Sequence, residues 1–155
     1  MNDTKDTYTV VREIDIPAPP EKVRGALADF HEWQRWSPWE GLDPAMTRTY
    51  SGAESGVGAV YEWQGNRKAG AGRMEITDVS PDTVVIALTF TRPFKSANTT
   101  TFSLKPQADG THVSWTMVGP KTWMTKLMGI VTSMDKLVGK DFEKGLRQLR
   151  AYVAG

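Results

Sequence analysis

Cysteine is absent and histidine occurs twice, at His31 and His112, in this 155-residue sequence. Thiolate nucleophiles, disulfides and cysteine-ligated metals are therefore excluded. The two histidines are far apart and neither has a metal-ligand spacing. His31 opens a short helical segment and reads as a cap or surface residue. His112 has the opposite strand parity to Trp115 and reads as solvent-facing. Among the carboxylates, Glu62 falls near Arg73 and Glu75 on strands joined by the 65–69 turn. That group is either a cross-strand ion-pair ladder on the outer face, or one carboxylate turned inward as a general acid or base. Asp135, at the edge of an apolar helical stripe, is the other acid–base candidate, against an ordinary ion pair. No carboxylate spacing points to a metal, and no metal or cofactor is expected. There is no G-x-S-x-G motif. Gly56-Val57-Gly58 and Gly70-Ala71-Gly72 lie between or within strands, not ahead of a helix, so they read as bends or bulges.

The more distinctive chemistry is apolar. Six Trp and seven Met are many for a chain of this length. The candidate ligand-pocket set is Trp36, Trp39, Tyr61, Trp63, Met74, Phe90, Phe102, Trp115, Met117, Met124, Met128 and Val131. Each is either ordinary core or the lining of a cavity. Methionine adapts its shape and tryptophan offers one N–H, so the mixture suits a loosely specific apolar pocket. Whether Tyr61 and Trp63 face inward, or Glu62 and Gln64 do, stays open at this level.

The elements that must position these residues follow from periodicity. Val10, Ile14 and Ile16 alternate with Glu13 and Asp15 and give a half-buried strand, ended by Pro17, Pro19 and Pro20. Val23, Ala26, Leu27 and Phe30 share one face of a helix over 21–30. A second short helix carries Phe30, Trp33 and Trp36 and stops at Ser37-Pro38. Strands are expected at 45–51, 58–64, 70–79, 83–92, 97–105 and 110–118, separated by Gly, Asn and Ser-Pro-Asp turns. Short links make consecutive strands antiparallel. A long amphipathic helix is expected from Thr122 to Val153, interrupted by Gly129, Gly139 and Gly145. The expectation is an α+β fold, a seven-stranded curved antiparallel sheet wrapped around the C-terminal helix, with two short helices after the first strand.

Composition narrows the partners. Lys+Arg exceeds Asp+Glu by one, 19 against 18, and residues from Lys121 onward carry a net of +4 on a face where Asp141 and Glu143 intervene. No basic stripe for nucleic acid results. The longest run without Asp, Glu, Lys or Arg, Gly110 to Pro120, is too short to span a bilayer, so stable membrane insertion is not expected. The start of the chain shows no apolar leader, and a cytoplasmic address is expected. Residues 1–7 read as a disordered tail and 8–155 as one domain.

Several segments carry a family likeness. They are Ile14-Asp15-Ile16-Pro17-Ala18-Pro19-Pro20-Glu21-Lys22-Val23, Trp33-Gln34-Arg35-Trp36-Ser37-Pro38-Trp39, Gly56-Val57-Gly58-Ala59-Val60-Tyr61-Glu62-Trp63 and Gly139-Lys140-Asp141-Phe142-Glu143-Lys144-Gly145-Leu146. Over about 8–153 the chain resembles the SRPBCC superfamily, the START-like or helix-grip proteins, in its polyketide cyclase/dehydrase and lipid-transport-like branch. The resemblance implies an apolar cavity between sheet and terminal helix. Because one fold hosts many functions, three readings stand. The leading one is a binder of a small hydrophobic or amphipathic ligand, lipid- or polyketide-like. The second is a cyclase- or dehydratase-type lyase or isomerase using Glu62 or Asp135. The third is a surface-acting interaction module of the chaperone-activator kind.

Overall fold

The computed structural model describes residues 7–67, 69–92, 95–120 and 131–155, with side chains in the last segment from Val138 onward. In chain order the elements are β1 (Thr7–Ile16), α1 (Pro20–Leu27), a 3₁₀ turn (Glu32–Arg35), β2 (Thr47–Gly52), β3 (Ala59–Gln64), β4 (Ala71–Ser80), β5 (Thr83–Arg92), β6 (Ser96–Gln107), β7 (Gly110–Pro120) and α2 (Val131–Ala154). The seven strands form a single sheet in the order β1-β7-β6-β5-β4-β3-β2, antiparallel throughout. This is the expected α+β helix-grip architecture. The stretch 121–130, expected as the start of the terminal helix, lies outside the described residues.

Strand alternation fixes which face looks inward. On β5 the side chains of Val84 and Ile86 are fully buried, and on β7 Val113, Trp115 and Met117 are buried while the residues between them keep some exposure. Register shifts between Ala71 and Gly72, and between Ile76 and Asp78, place irregularities on β4. Such bulges bend a sheet and increase its twist. At the first of them Trp63 is the cross-strand partner of Gly72, and a Cβ there would lie 2.5 Å from the indole. The glycine lets the ring lie flat across the neighbouring strand.

The helix after β1 ends at Leu27, three residues short of the expected Phe30. The cause is Asp29, whose carboxylate accepts the backbone N–H of His31 at 2.9 Å and turns the chain out of the helix. The next segment is a 3₁₀ turn, and its period of three explains the spacing of Phe30, Trp33 and Trp36, all buried. Its indoles close the preceding helix: Trp33 Nε1 donates to Leu27 O and Trp36 Nε1 to Ala26 O, each at 3.0 Å. These carbonyls would otherwise be unpaired at a buried helix end.

On α2, Phe142, Leu146, Leu149 and Val153 recur at helical spacing and all are buried. Two of the glycines are contact notches. A Cβ at Gly139 would lie 2.1 Å from the Arg12 guanidinium, and one at Gly145 would lie 2.8 Å from Pro38 and 2.9 Å from the Trp115 ring. In an isolated helix Gly→Ala gains about 1 kcal/mol. For Gly145→Ala the sign is expected to reverse, because neither a proline ring nor a sealed indole yields, and overpacking costs ~1–3 kcal/mol. The melting temperature should fall by several degrees; a rise would mean that α2 slides freely on the sheet.

Candidate functional site

Burial along the inner face is graded. Ile76, Val84, Ile86, Phe102 and Val113 are 0% exposed, and Trp115 is 1%. Further along the same strands burial loosens: Met74 is 9% exposed, Tyr61 8%, and Trp63, Leu88 and Phe90 are only partly buried. One half of the face is sealed by α1, the 3₁₀ turn and the C-terminal half of α2. The other half, at the Trp63–Leu88–Phe90 end, is apolar and incompletely covered.

This division sorts the expected pocket residues. Tyr61, Trp63, Met74 and Phe90 belong to the open half, and Met117, 4% exposed, lies at its border. Tyr61 and Trp63 face inward while Glu62 and Gln64 are exposed, which settles their parity. Trp36, Phe102 and Trp115 instead pack in the sealed core. Trp115 stacks on Phe142 with centroids 4.0 Å apart, and on it converge Phe102 at 4.9 Å, Trp36 at 5.7 Å and Trp39 at 5.8 Å. Trp39 is partly buried and its indole N–H donates to Asp141 at 3.2 Å. Met124 and Met128 lie outside the described residues, as do the side chains of Val131 and Asp135.

Glu62 is no inward acid. It is exposed on the outer face opposite Arg73, which pairs with Glu75 at 3.1 Å. The alternation that turns Tyr61 inward turns Glu62 outward. An ionic group on the inner side that reading by motif missed is Arg48 of β2, which lies opposite Trp63, is ion-paired to Glu40 and lies beside Tyr61. Its signal was present in the parity of Thr47-Arg48-Thr49-Tyr50, where Arg48 and Tyr50 share the half-buried face. Burial pushes the Tyr61 phenol up to about 12, so it remains a proton donor at any ordinary pH.

His112 lies on the outer face, where its ring nitrogens meet Asp15 at 2.6 Å and Glu13 at 2.5 Å. Hydrogen bonds to Asp15 and then to Glu13 raise its pKa above the ordinary 6.5. A raised folded-state pKa contributes stability that is fully present below the unfolded value and is lost as pH rises through the folded one. The pair is partly exposed, so the contribution is a few tenths to ~1 kcal/mol. His112→Gln should therefore be less stable than the wild type near about pH 6, and the gap should close on the alkaline side of the raised pKa. Urea melts across that window check it; a gap independent of pH would mean the imidazolium plays no part. His31 is exposed, bonds Asp29 at 2.9 Å and stacks on Tyr50 at 4.2 Å.

Two open surface clefts lie outside this face. One, of about 410 Å³, runs between Pro17–Pro20 and the β6–β7 turn; the other, of about 480 Å³, lies among Gln34, Trp36, Glu40, Gln148 and Tyr152. Among the described residues no cluster of His, Asp and Glu suits a metal ion, and no helix is long and apolar enough to cross a membrane.

With this geometry in place, the sequence profile described as "Polyketide cyclase / dehydrase and lipid transport" matches residues 7–154. The chain belongs to the polyketide cyclase/dehydrase and lipid-transport family. Solved structures share its fold. Protein CV1439 from Chromobacterium violaceum aligns with a TM-score of 0.68 at 18% identity, over 95% of this chain and 97% of that one. The di-domain ARO/CYC StfQ of the steffimycin biosynthetic pathway gives 0.69 at 8% identity, over 96% of this chain and 51% of StfQ. Ara h 8.0201 gives 0.61 at 16% identity, over 96% and 98%. No curated protein sequence matches. Family membership assigns the fold and a ligand-binding or cyclase-like fold class.

Proposed function

We propose that the protein binds a small hydrophobic or amphipathic molecule, lipid- or polyketide-like, against the open half of the inner face. The observation that carries this is the graded burial: Trp63, Leu88 and Phe90 stay partly exposed at one end of a face on which Ile76, Val84, Ile86, Phe102 and Val113 are sealed. Large apolar side chains left incompletely covered inside a fold favour an apolar occupant, at about 25 cal/mol per Å² removed from water. Membership of a family whose description includes lipid transport agrees with it. The cyclase or dehydratase alternative gains nothing from Glu62, which faces away, and Tyr61 would serve it as a donor only. The surface-module alternative asks for a broad outer apolar patch. Among the described residues the exposed large apolar side chains are Val11, Val57 and Val118, too few for one. Titration of the protein with a naphthalene-sulfonate fluorophore tests the binder reading: saturable binding to the native fold with quenching of Trp emission supports it, and no binding below the unfolding transition removes it.

A further inference from the structure

Two polar side chains interrupt the inner face where it is otherwise apolar. Asn98 and Thr100 of β6 are 6% and 4% exposed and share a face with Phe102 and Leu104. Their cross-strand neighbours are Leu88 for Asn98, and Ile86 and Met117 for Thr100. Tyr8 reaches over β7 from β1, and its hydroxyl donates to Asn98 Oδ1 at 2.7 Å. Gly119 makes that reach fit, since a Cβ there would stand 1.9 Å from Asn98 Oδ1 and 2.8 Å from the Tyr8 oxygen. Tyr8, a phenol held protonated by burial, keeps this carbonyl engaged as an acceptor. The amide nitrogen of Asn98 and the hydroxyl of Thr100 bond to no described residue.

Among the described residues the fully buried side-chain atoms without a partner are Arg48 Nε and Trp115 Nε1, so the Asn98 amide nitrogen and the Thr100 hydroxyl each keep a small accessible surface on this face. A donor and a donor–acceptor two residues apart on one strand, beside the incompletely covered Leu88, form a pattern that an oxygen atom of an occupant would complete.

We propose that Asn98 and Thr100 are the polar subsite of the ligand face, positioned by Tyr8, and that they select ligands carrying a neutral hydroxyl or carbonyl oxygen on an apolar body over bare hydrocarbons. This rests on the binding reading above and names its ligand class. Neither side chain carries a charge, so the subsite suits a neutral oxygen and not an anion.

The test uses the full chain and a shape-matched pair, 2-naphthol and 2-methylnaphthalene, each displacing the fluorophore. The wild type should favour 2-naphthol about tenfold, the size expected for one buried hydrogen bond. Thr100→Val, which keeps the side-chain shape, and Asn98→Leu should each shrink the preference toward unity while leaving 2-methylnaphthalene binding in place. Thr100→Ser should restore it. If the wild type binds both probes equally, the subsite is overturned and the binding face stands, with ordered water as the partner of both groups. If the preference survives both substitutions, the subsite is overturned as well. If neither probe binds, both readings fall. The wild-type comparison needs no variant to fold.

Discussion

Trp115→Ala is expected to bring the protein to the edge of unfolding. The indole is 1% exposed and stands at the centre of five aromatic contacts, stacked on Phe142 with planes 7° apart and met edge-on by Trp33, Trp36 and Trp39. Truncating a buried tryptophan to alanine costs ~3–5 kcal/mol. That is a large part of the ~5–15 kcal/mol that separates folded from unfolded domains. The void would open where α2 meets the sheet, so the contact of both layers is lost with it. A contrast sharpens the expectation. Trp33, Trp36, Trp39 and Trp63 each donate their indole N–H to the protein, but the Trp115 N–H has no partner among the described residues. Trp115→Phe therefore gives up area and no hydrogen bond, and should cost well under half as much. Urea melts of the two variants measure both numbers. Equal losses would mean that the N–H is satisfied after all; a loss below ~1 kcal/mol for alanine would mean that the aromatic cluster is not the centre of stability.

Leu88→Trp is expected to abolish fluorophore binding while leaving the melting temperature unchanged or higher. Leu88 lies two residues beyond Ile86 on β5, on the same face, where burial has begun to loosen. Leu88 is only partly buried, so added volume there meets less packing than in the sealed interior. The same enlargement at Ile86, which is 0% exposed, meets a packed interior and should cost ~1–3 kcal/mol. The pair divides the face by experiment: binding should fall at least tenfold for Leu88→Trp, and stability should fall only for Ile86→Trp. If both variants are destabilised alike and the native protein takes up no fluorophore, the inner face is solid throughout.

Most of the architecture was legible because strand and helix periods are local properties. Val84, Ile86, Leu88 and Phe90 announce their strand by alternation, and Phe142, Leu146, Leu149 and Val153 announce their helix by spacing. What local pattern does not carry is coverage. Trp115 and Trp63 are the same residue type, each at an inward strand position, yet one is sealed and the other half open. The difference is set by where α2 crosses the sheet, a long-range fact. The end of α1 was missed because a side chain, Asp29, and not a proline or glycine, breaks the helix. Arg48 was passed over because β2 is short and polar and its charge looks like an exposed one, whereas its partner Glu40 comes from the preceding loop.

The pairing of the first strand with the last has a consequence for how the chain comes to be folded. Val10 lies against Met117 and Ile14 against Val113, so β1 is synthesised roughly a hundred residues before the strand it must join. At about 5–20 residues per second that interval lasts on the order of 5–20 s. During it, α1 and the 3₁₀ turn can already close on themselves through Trp33 and Trp36, which need only carbonyls six and ten residues back. β1 has no such local partner, and loop closure over that separation makes its docking a late, slow event. Its outward residues, Glu13 and Asp15, then act first as guards: charges on a waiting strand discourage pairing with another nascent chain. Only when β7 arrives do the same two carboxylates acquire His112.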